Sequence, residues 1–270
     1  MKNFKLIDCH AHVNSEFSKE NYPEVLRRAL ETGIAVVNVG TNKKDSEENV
    51  KIAESFKEGV FATVGMHPTE EEKINYDFFR KLAENKKVVA VGECGLDYFR
   101  VKDDEFKIRE IERQKDLFKE QIKLAKEVGK PLMLHLRTAE AYRDALEILR
   151  QAQDLKMPKI IFHFYSGGEE FLERALKLDA YFTFGGTLTF KMKGGEKNEY
   201  EEVIKKVPKD RILLETDAPF VAPEPNRGKR NEPIMIVETA KKAAEILEME
   251  LEEFLEIEKK NAENVFGVKL

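Results

Sequence analysis

The 270-residue chain contains no tryptophan, only two cysteines and only five histidines. It has no run of about 18 consecutive apolar residues, so a membrane-spanning helix is not expected. The N-terminal segment also lacks the apolar stretch and cleavage pattern of a secretory signal peptide. Cys9 and Cys94 stand far apart without C-x-x-C spacing, which predicts two reduced, buried thiols rather than a disulfide framework. These absences together predict a cytoplasmic protein.

Charge is abundant but nearly balanced. Lys and Arg number 46 against 51 Asp and Glu, which gives a formal net charge of -5. Hydrophobic residues make up 41% of the chain, enough for a buried core and too many for a disordered protein. Because the whole molecule is acidic, a general polyanion-binding surface is excluded. Nucleic-acid binding would need a local site, and no obligate protein partner is indicated.

Eight short apolar runs alternate with longer amphipathic segments of helical periodicity. The runs are rich in β-branched and aromatic residues, as in parallel strands covered on both faces. Glycines at 33, 59 and 129 follow helical segments and predict left-handed caps. Eight strand–helix units predict one α/β domain over residues 1–270, a (β/α)8 TIM-like barrel, with an open doubly wound sheet as the alternative. Residues 231–270 supply the eighth helix and an additional C-terminal helix. The predicted strands span residues 4–10, 34–40, 60–66, 88–94, 131–137, 159–165, 180–186 and 211–217.

All five histidines lie at or near the C-terminal end of a predicted strand. This is the face on which barrel enzymes build their active sites. A single histidine at a strand end is usually structural, but five at one face, joined by two carboxylates at further strand ends, predict a site. The residues are His10, His12, His67, Glu93, His135, His163 and Asp217.

Side chains alternate between the two faces of a strand, which adds orientation to this pattern. His10 and His12 are two residues apart and should point the same way. Cys9 and Cys94 have the opposite parity to His10 and Glu93, so they should face the helix layer.

Imidazoles and carboxylates suit Zn²⁺, Mn²⁺ or a similar divalent ion. Four histidines with two carboxylates exceed what one tetrahedral ion needs, but two ions about 3.5–4 Å apart would use them all. Glu93 is the natural bridge, since each of its oxygens can take one ion. A water between the ions would be the nucleophile, and Asp217 could accept its proton while binding one ion.

The chain resembles the TatD family of metal-dependent hydrolases, which belong to the amidohydrolase-like barrel enzymes. Each matching segment is short, but their order along nearly the whole chain makes the resemblance specific. Two departures, Cys94 and the HFYSG segment, leave the ligand positions intact. The matching segments are LIDCHAHV, VGMHP, VGECGLDY, PLMLHLR, IIFHFYSG, YFTFGGTLTFK, LLETDAPF and RGKRNEP.

This resemblance implies hydrolysis of DNA or another phosphodiester, often from a 3′ end, with two divalent ions (Mg²⁺, Mn²⁺ or Zn²⁺). It implies that His67 contacts the substrate, whereas a structural role is the alternative. The implied metal ligands are His10, His12, Glu93, His135, His163 and Asp217.

Arg137 should enter the barrel mouth beside His135, where its guanidinium suits phosphate oxygens. It could instead neutralise Glu93 or Asp97, and Asp97 with Tyr98 could either shape the mouth or form a turn.

Several charged residues around the predicted mouth have less specific roles. Glu215 faces the interior and needs a partner, for which Arg227 or Arg230 is expected. The charge pattern of residues 102–113 predicts a solvated helix face. Lys191 and Lys193 lie where barrels often bind phosphate, although a solvated loop is the default.

Three functions compete. The leading hypothesis is a two-metal phosphodiesterase acting on a DNA end. The alternative is an amide or ester hydrolase of the same barrel class, such as a D-aminoacyl-tRNA deacylase. Glu93 stands where many amidohydrolases carry a bridging lysine, which favours the TatD-like branch. A non-enzymatic metal-binding protein is disfavoured by the completeness of the ligand set.

Overall fold

The computed structural model describes residues 4–14, 21–102, 105–154, 157–191 and 198–270. Eight parallel strands form one sheet in chain order from β1 to β8. This arrangement, with helices between the strands, confirms the predicted TIM-like barrel. The strands are β1 (Leu6–Ala11), β2 (Ile34–Asn38), β3 (Val60–Val64), β4 (Val88–Asp97), β5 (Leu132–Arg137), β6 (Ile160–Phe162), β7 (Ala180–Phe184) and β8 (Ile212–Leu214).

Amphipathic helices connect the strands and cover the outside of the sheet. Two helices follow β8, as the sequence predicts for its C-terminal segment. In the described part of the chain, no helix is long and apolar enough to cross a membrane. The helices are α1 (Tyr22–Glu31), α2 (Lys43–Ser55), α3 (Tyr76–Ala83), α4 (Lys107–Val128), α5 (Ala139–Ala152), α6 (Gly168–Leu176), α7 (Glu199–Lys206), α8 (Ile236–Ile246) and α9 (Leu251–Phe266).

Glycines end two of the helices as expected. Gly129 is the left-handed C-cap of α4, and Gly33 has a φ of 84° just after α1. Gly59 also has a positive φ, but it lies in the turn before β3 rather than at a helix end. A Cβ there would lie 2.2 Å from the ring of Phe4, so close packing as well as backbone conformation requires glycine.

The barrel closes between β8 and β1 through few backbone contacts. Near the C-terminal end, Ala11 forms a bridge with Ala218. Further down, the Asp8 carboxylate accepts a hydrogen bond from the Thr216 amide at 2.9 Å. From α9, the carboxylate of Glu258 accepts one from the Ile7 amide at 3.5 Å. Two buried carboxylates therefore complete the closure.

Register shifts interrupt β1 and β4 beside the predicted ligands His10 and Glu93. One shift in β1 lies between Asp8 and Ala11, and one in β4 lies between Val91 and Cys94. The first explains a wrong expectation: Cys9 packs in the barrel interior with Met133, because an extra residue breaks simple alternation. Cys94 packs in the outer cluster, as expected, and both thiols are free and buried.

Candidate metal centre

Glu93, at the register shift in β4, lies at the centre of a group of imidazoles and is almost fully buried. Its Oε2 lies 3.5 Å from Nε2 of His10 and 3.7 Å from Nε2 of His12. Its Oε1 lies 2.6 Å from Nδ1 of His135 and 3.7 Å from Nε2 of His163. Each carboxylate oxygen therefore faces a different pair of histidines.

Asp217 completes the side that contains the first-strand histidines. Its Oδ1 lies 3.7 Å from Nε2 of His10 and 3.5 Å from Nε2 of His12. The Asp217 amide donates to the His10 carbonyl at 2.9 Å, and the residue has a φ of 54°. Aspartate tolerates this left-handed conformation better than most residues. The turn after β8 thus directs the carboxylate back over β1.

All six predicted ligands, together with His67, converge at the carboxyl ends of the strands. We call these seven residues the histidine–carboxylate cluster. Within it, ligating atoms lie within 4.8 Å of one another in three groups of three residues, and two of these groups share Glu93. The three groups are His10, His12 and Glu93; Glu93, His135 and His163; and His10, His163 and Asp217. Their role as ligands remains a prediction.

The outward-facing nitrogens show how several rings are oriented. Nδ1 of His163 lies 2.9 Å from Oε2 of Glu215, and Nε2 of His135 lies 3.3 Å from Oδ2 of Asp97. Nδ1 of His12 lies 3.3 Å from a main-chain carbonyl just after β2. When the outer nitrogen donates its proton, the inner nitrogen presents a lone pair to a metal ion. The donor set therefore fits divalent ions such as Zn²⁺ or Mn²⁺.

The electrostatics of the cluster agree with this fit. Burial raises the pKa of Glu93, but hydrogen bonds from His10 and His135 outweigh burial and hold the pKa well below 4.5. Burial lowers the pKa of His135, whereas Asp97 and Glu93 raise it to a net value of about 9. Metal ligands must be deprotonated, so a bound cation takes the place of protons that the carboxylates otherwise attract.

His67 lies closer to the centre than its isolated position in the sequence indicates. Its Nε2 lies 3.7 Å from Oε1 of Glu93, and its ring contacts the ring of His135 edge-on. Burial lowers the pKa of His67 to about 4, so the ring is neutral at pH 7. The Thr69 amide donates to Nδ1 at 3.2 Å, which leaves the proton on Nε2. His67 therefore offers a hydrogen-bond donor to the site.

The structure changes the interpretation of Arg137. Its guanidinium lies 4.3 Å from the centroid of the Phe99 ring, at the exposed rim. Among the residues described, no ion pair joins Arg137 to Glu93 or Asp97, so the alternative role, neutralisation of one of these carboxylates, is not seen. Asp97 instead contacts His135, and a contact with phosphate stays a prediction for Arg137.

The predicted arginine partner of Glu215 is wrong. Glu215 pairs with His163, while the guanidinium of Arg227 lies 4.1 Å from the Phe190 ring centroid. The expectation failed because the contact joins β6 to the end of β8, strands that are not neighbours in the sheet. By strand alternation both Glu215 and His163 face the barrel interior, and this pattern was the signal that could have predicted their contact.

Other predicted residues lie further from the centre. Tyr98 points away from it, and its hydroxyl donates to Asp144 at 2.9 Å. Lys191 is exposed, and Lys193 lies outside the described residues.

Arg113 is an exception to the predicted solvated face of residues 102–113. It donates to the carbonyls of Pro68 and Glu70, in the loop that carries His67. The sequence contains no signal for this contact.

The chain is similar to several known proteins over almost its full length. Residues 7–267 match the family model of TatD-related DNases. The metal-dependent hydrolase YabD of Bacillus subtilis (strain 168) is 34% identical, with 97% of this chain and 99% of YabD covered. The 3'-5' ssDNA/RNA exonuclease TatD of Edwardsiella piscicida is 29% identical, with 94% and 95% covered. The solved structure of YJJV, a TatD homologue from Escherichia coli K12, superimposes with a TM-score of 0.83 at 29% identity over 98% of each chain.

These matches confirm the family that the ordered motifs indicate. They extend over almost the full length of both partners, and they agree with the barrel fold. The chain therefore belongs to the TatD-related DNase family and is a metal-dependent hydrolase.

Proposed function

We propose that this protein hydrolyses phosphodiester bonds at the end of a nucleic-acid strand, with two divalent ions held by the histidine–carboxylate cluster. The observation that carries the proposal is the position of Glu93, whose two oxygens face different histidine pairs. The exonuclease activity named for the relative from Edwardsiella piscicida supports the choice of substrate.

The ligands divide into two sets in this proposal. His10, His12 and Asp217 would hold one ion, His135 and His163 would hold the other, and Glu93 would contribute to both sets. The imidazole-rich donor set favours Zn²⁺ or Mn²⁺ over Mg²⁺. When bound, such ions polarise a phosphoryl oxygen and lower the pKa of water.

Two side chains then act on the reactants, Asp217 on the attacking water and His67 on the substrate. The carboxylate of Asp217 is ionised at neutral pH: burial raises its pKa, but His12 and the other nearby histidines lower it below the ordinary value. It is therefore able to accept a proton from the attacking water. His67 donates from Nε2 to a phosphate oxygen, as its neutral state and tautomer permit.

The test compares three substrates in parallel: single-stranded DNA, bis-p-nitrophenyl phosphate and D-aminoacyl-tRNA, each with added Mg²⁺, Mn²⁺ or Zn²⁺. We expect DNA cleavage that a chelator abolishes and added metal restores. Glu93→Gln should reduce the rate of DNA cleavage by about 100-fold or more, because it removes the negative charge that both ions would share. Glu245→Gln, an exposed carboxylate on α8, serves as the control.

Full activity in Glu93→Gln would contradict the proposed ligand role. Turnover of D-aminoacyl-tRNA without phosphodiester cleavage would establish the alternative, an ester hydrolase of the same barrel class.

The single domain over residues 1–270 and the cytoplasmic location stay predictions.

A further inference from the structure

The loop after β8 contains a segment that the proposed chemistry does not use. In this RGKRNEP segment, residues 227–233, the side chains of Arg227, Lys229 and Arg230 are exposed. Asn231, in contrast, is completely buried, and it lies beside the turn that carries Asp217. A buried side-chain amide needs hydrogen-bond partners, so the identity of those partners indicates what the residue does.

Asn231 donates two hydrogen bonds into the turn after β8. Its Nδ2 donates to the carbonyl of Thr216 at 2.8 Å and to the carbonyl of Phe220 at 2.7 Å. Its backbone amide donates to the Pro219 carbonyl at 3.1 Å, and its Oδ1 accepts from the Glu232 amide at 3.0 Å. Both protons of the side-chain amide are therefore used, and the bond to Oδ1 fixes which way the amide faces.

The turn needs this support because Asp217 has an unfavourable backbone conformation. Its φ of 54° is left-handed, and a residue other than glycine keeps such a conformation only where the surrounding structure holds it. Two backbone hydrogen bonds tie the turn to the first strand: the Asp217 amide donates to the His10 carbonyl at 2.9 Å, and the His12 amide donates to the Ala218 carbonyl at 2.8 Å. The two bonds from Asn231 hold the carbonyls that precede and follow Asp217 in the chain.

We propose that Asn231 is a positioning residue for Asp217, because it holds the turn so that the carboxylate points at the first-strand histidines. Oδ1 of Asp217 lies 3.7 Å from Nε2 of His10 and 3.5 Å from Nε2 of His12. Without Asn231, two carbonyls lose their donor, and the turn can relax toward an ordinary φ that moves the carboxylate away from both rings. The expected effect on hydrolysis rests on the proposed function, whereas the expected effect on metal binding does not.

Asn261 offers a matched control, because it makes the same pair of hydrogen bonds at the other end of β8. It is buried on α9, and its Nδ2 donates to the carbonyls of Lys209 and Ile212, both at 2.8 Å. Ile212 is the first residue of β8, at the end of the strand opposite to the cluster. Asn231→Ala and Asn261→Ala each remove two buried hydrogen bonds, so they should lower the urea midpoint of unfolding by similar amounts.

The experiment measures Zn²⁺ affinity by competition with a chromophoric chelator, and then turnover of bis-p-nitrophenyl phosphate at saturating Zn²⁺. Asn231→Ala should bind one of the two ions about tenfold more weakly and the other with wild-type affinity, because only the ligand set with Asp217 is disturbed. Its kcat should be about 100-fold lower, since the proton acceptor is misplaced, while KM should stay within about twofold. Asn261→Ala should keep the wild-type Zn²⁺ affinity and kcat.

The two measurements separate this proposal from the proposed function. Equal losses in Asn231→Ala and Asn261→Ala, or wild-type Zn²⁺ affinity and kcat in a folded Asn231→Ala, would overturn the positioning role. Weaker Zn²⁺ binding by Asn231→Ala, with no phosphodiester cleavage by the wild type, would contradict the proposed function and leave the positioning role supported.

A second pair of variants covers the case in which Asn231→Ala does not fold. Asn231→Ser and Asn261→Ser each keep one hydroxyl donor, which cannot serve two carbonyls. Asn231→Ser should bind one ion more weakly than Asn261→Ser does, and equal affinities in the two serine variants would overturn the proposal.

Discussion

At the scale of single residues, carboxylates outside the cluster hold its histidines in place. Glu215 contacts the outer nitrogen of His163, and Asp97 contacts that of His135. Such a carboxylate fixes ring orientation and increases the basicity of the inner nitrogen toward a metal. Metal affinity should therefore depend on residues that do not touch the ion.

We predict that Glu215→Gln weakens Zn²⁺ binding by about tenfold or more while the fold is retained. A glutamine still accepts a hydrogen bond from His163, but it lacks the negative charge that makes the imidazole a stronger ligand. Competition with a chromophoric chelator would measure the affinity, and Glu245→Gln on α8 is the control. Unchanged affinity would mean that Glu215 only fills space beneath His163.

At the scale of secondary-structure elements, α4 supports the loop after β3. Arg113 pairs with Glu110 one turn earlier and extends to the carbonyls of Pro68 and Glu70. Arg150 on α5 pairs with Glu147 in the same spacing, but it is exposed. Comparing variants of these two arginines separates the effect of the loop contact from the effect of the ion pair within the helix.

Arg113→Met should loosen the loop that carries His67. Losing two charge-assisted hydrogen bonds, while the apolar stem is kept, should lower the local opening free energy by about 2 kcal/mol. We expect amides in residues 67–71 to exchange with solvent about 30-fold faster, measured by hydrogen exchange and mass spectrometry. In Arg150→Met these amides should exchange at the wild-type rate; equal acceleration there would contradict the assignment.

At the scale of the whole molecule, closure of the barrel depends on two buried carboxylates. Burial raises the pKa of both Asp8 and Glu258 to about 8. Glu258 approaches the Ile7 amide and, at 3.8 Å, the thiol of Cys9. The C-terminal helix thus contributes a side chain to the join between first and last strands.

The raised pKa of Glu258 predicts a pH-dependent stability. Below about pH 4.5 the folded and unfolded chains both hold the proton, and between about pH 4.5 and 8 only the folded chain does. The free energy of unfolding should therefore fall as pH rises through this window, by about 1.4 kcal/mol per pH unit for this group. Above about pH 8 its effect is constant.

Glu258→Gln should remove this contribution. Urea unfolding at pH 5 and pH 8.5, at equal metal content, should show a smaller loss of stability in the variant than in the wild type. Glu256→Gln, an exposed neighbour on α9, should behave like the wild type. Parallel pH profiles for Glu258→Gln and the wild type would contradict a protonated Glu258.

The eight strands, the order of the barrel and the residues of the histidine–carboxylate cluster could be predicted from the sequence. Apolar runs show where strands lie, and chain order in a parallel barrel brings their carboxyl ends together. Strand alternation also predicted correctly that His10 and His12 point the same way, since their Nε2 atoms lie 3.1 Å apart. It failed for Cys9, since a single extra residue in β1 reverses the alternation.

Which side chains meet across the barrel could not be predicted from the sequence and depends on how the chain packs. The pairing of Glu215 with His163, the position of His67 against Glu93 and the stacking of Arg137 on Phe99 all join separate strands or loops. Their contacts depend on strand stagger, register shifts and loop paths, which local patterns do not specify. The sequence thus named the chemical groups, and packing set the distances that make them a site.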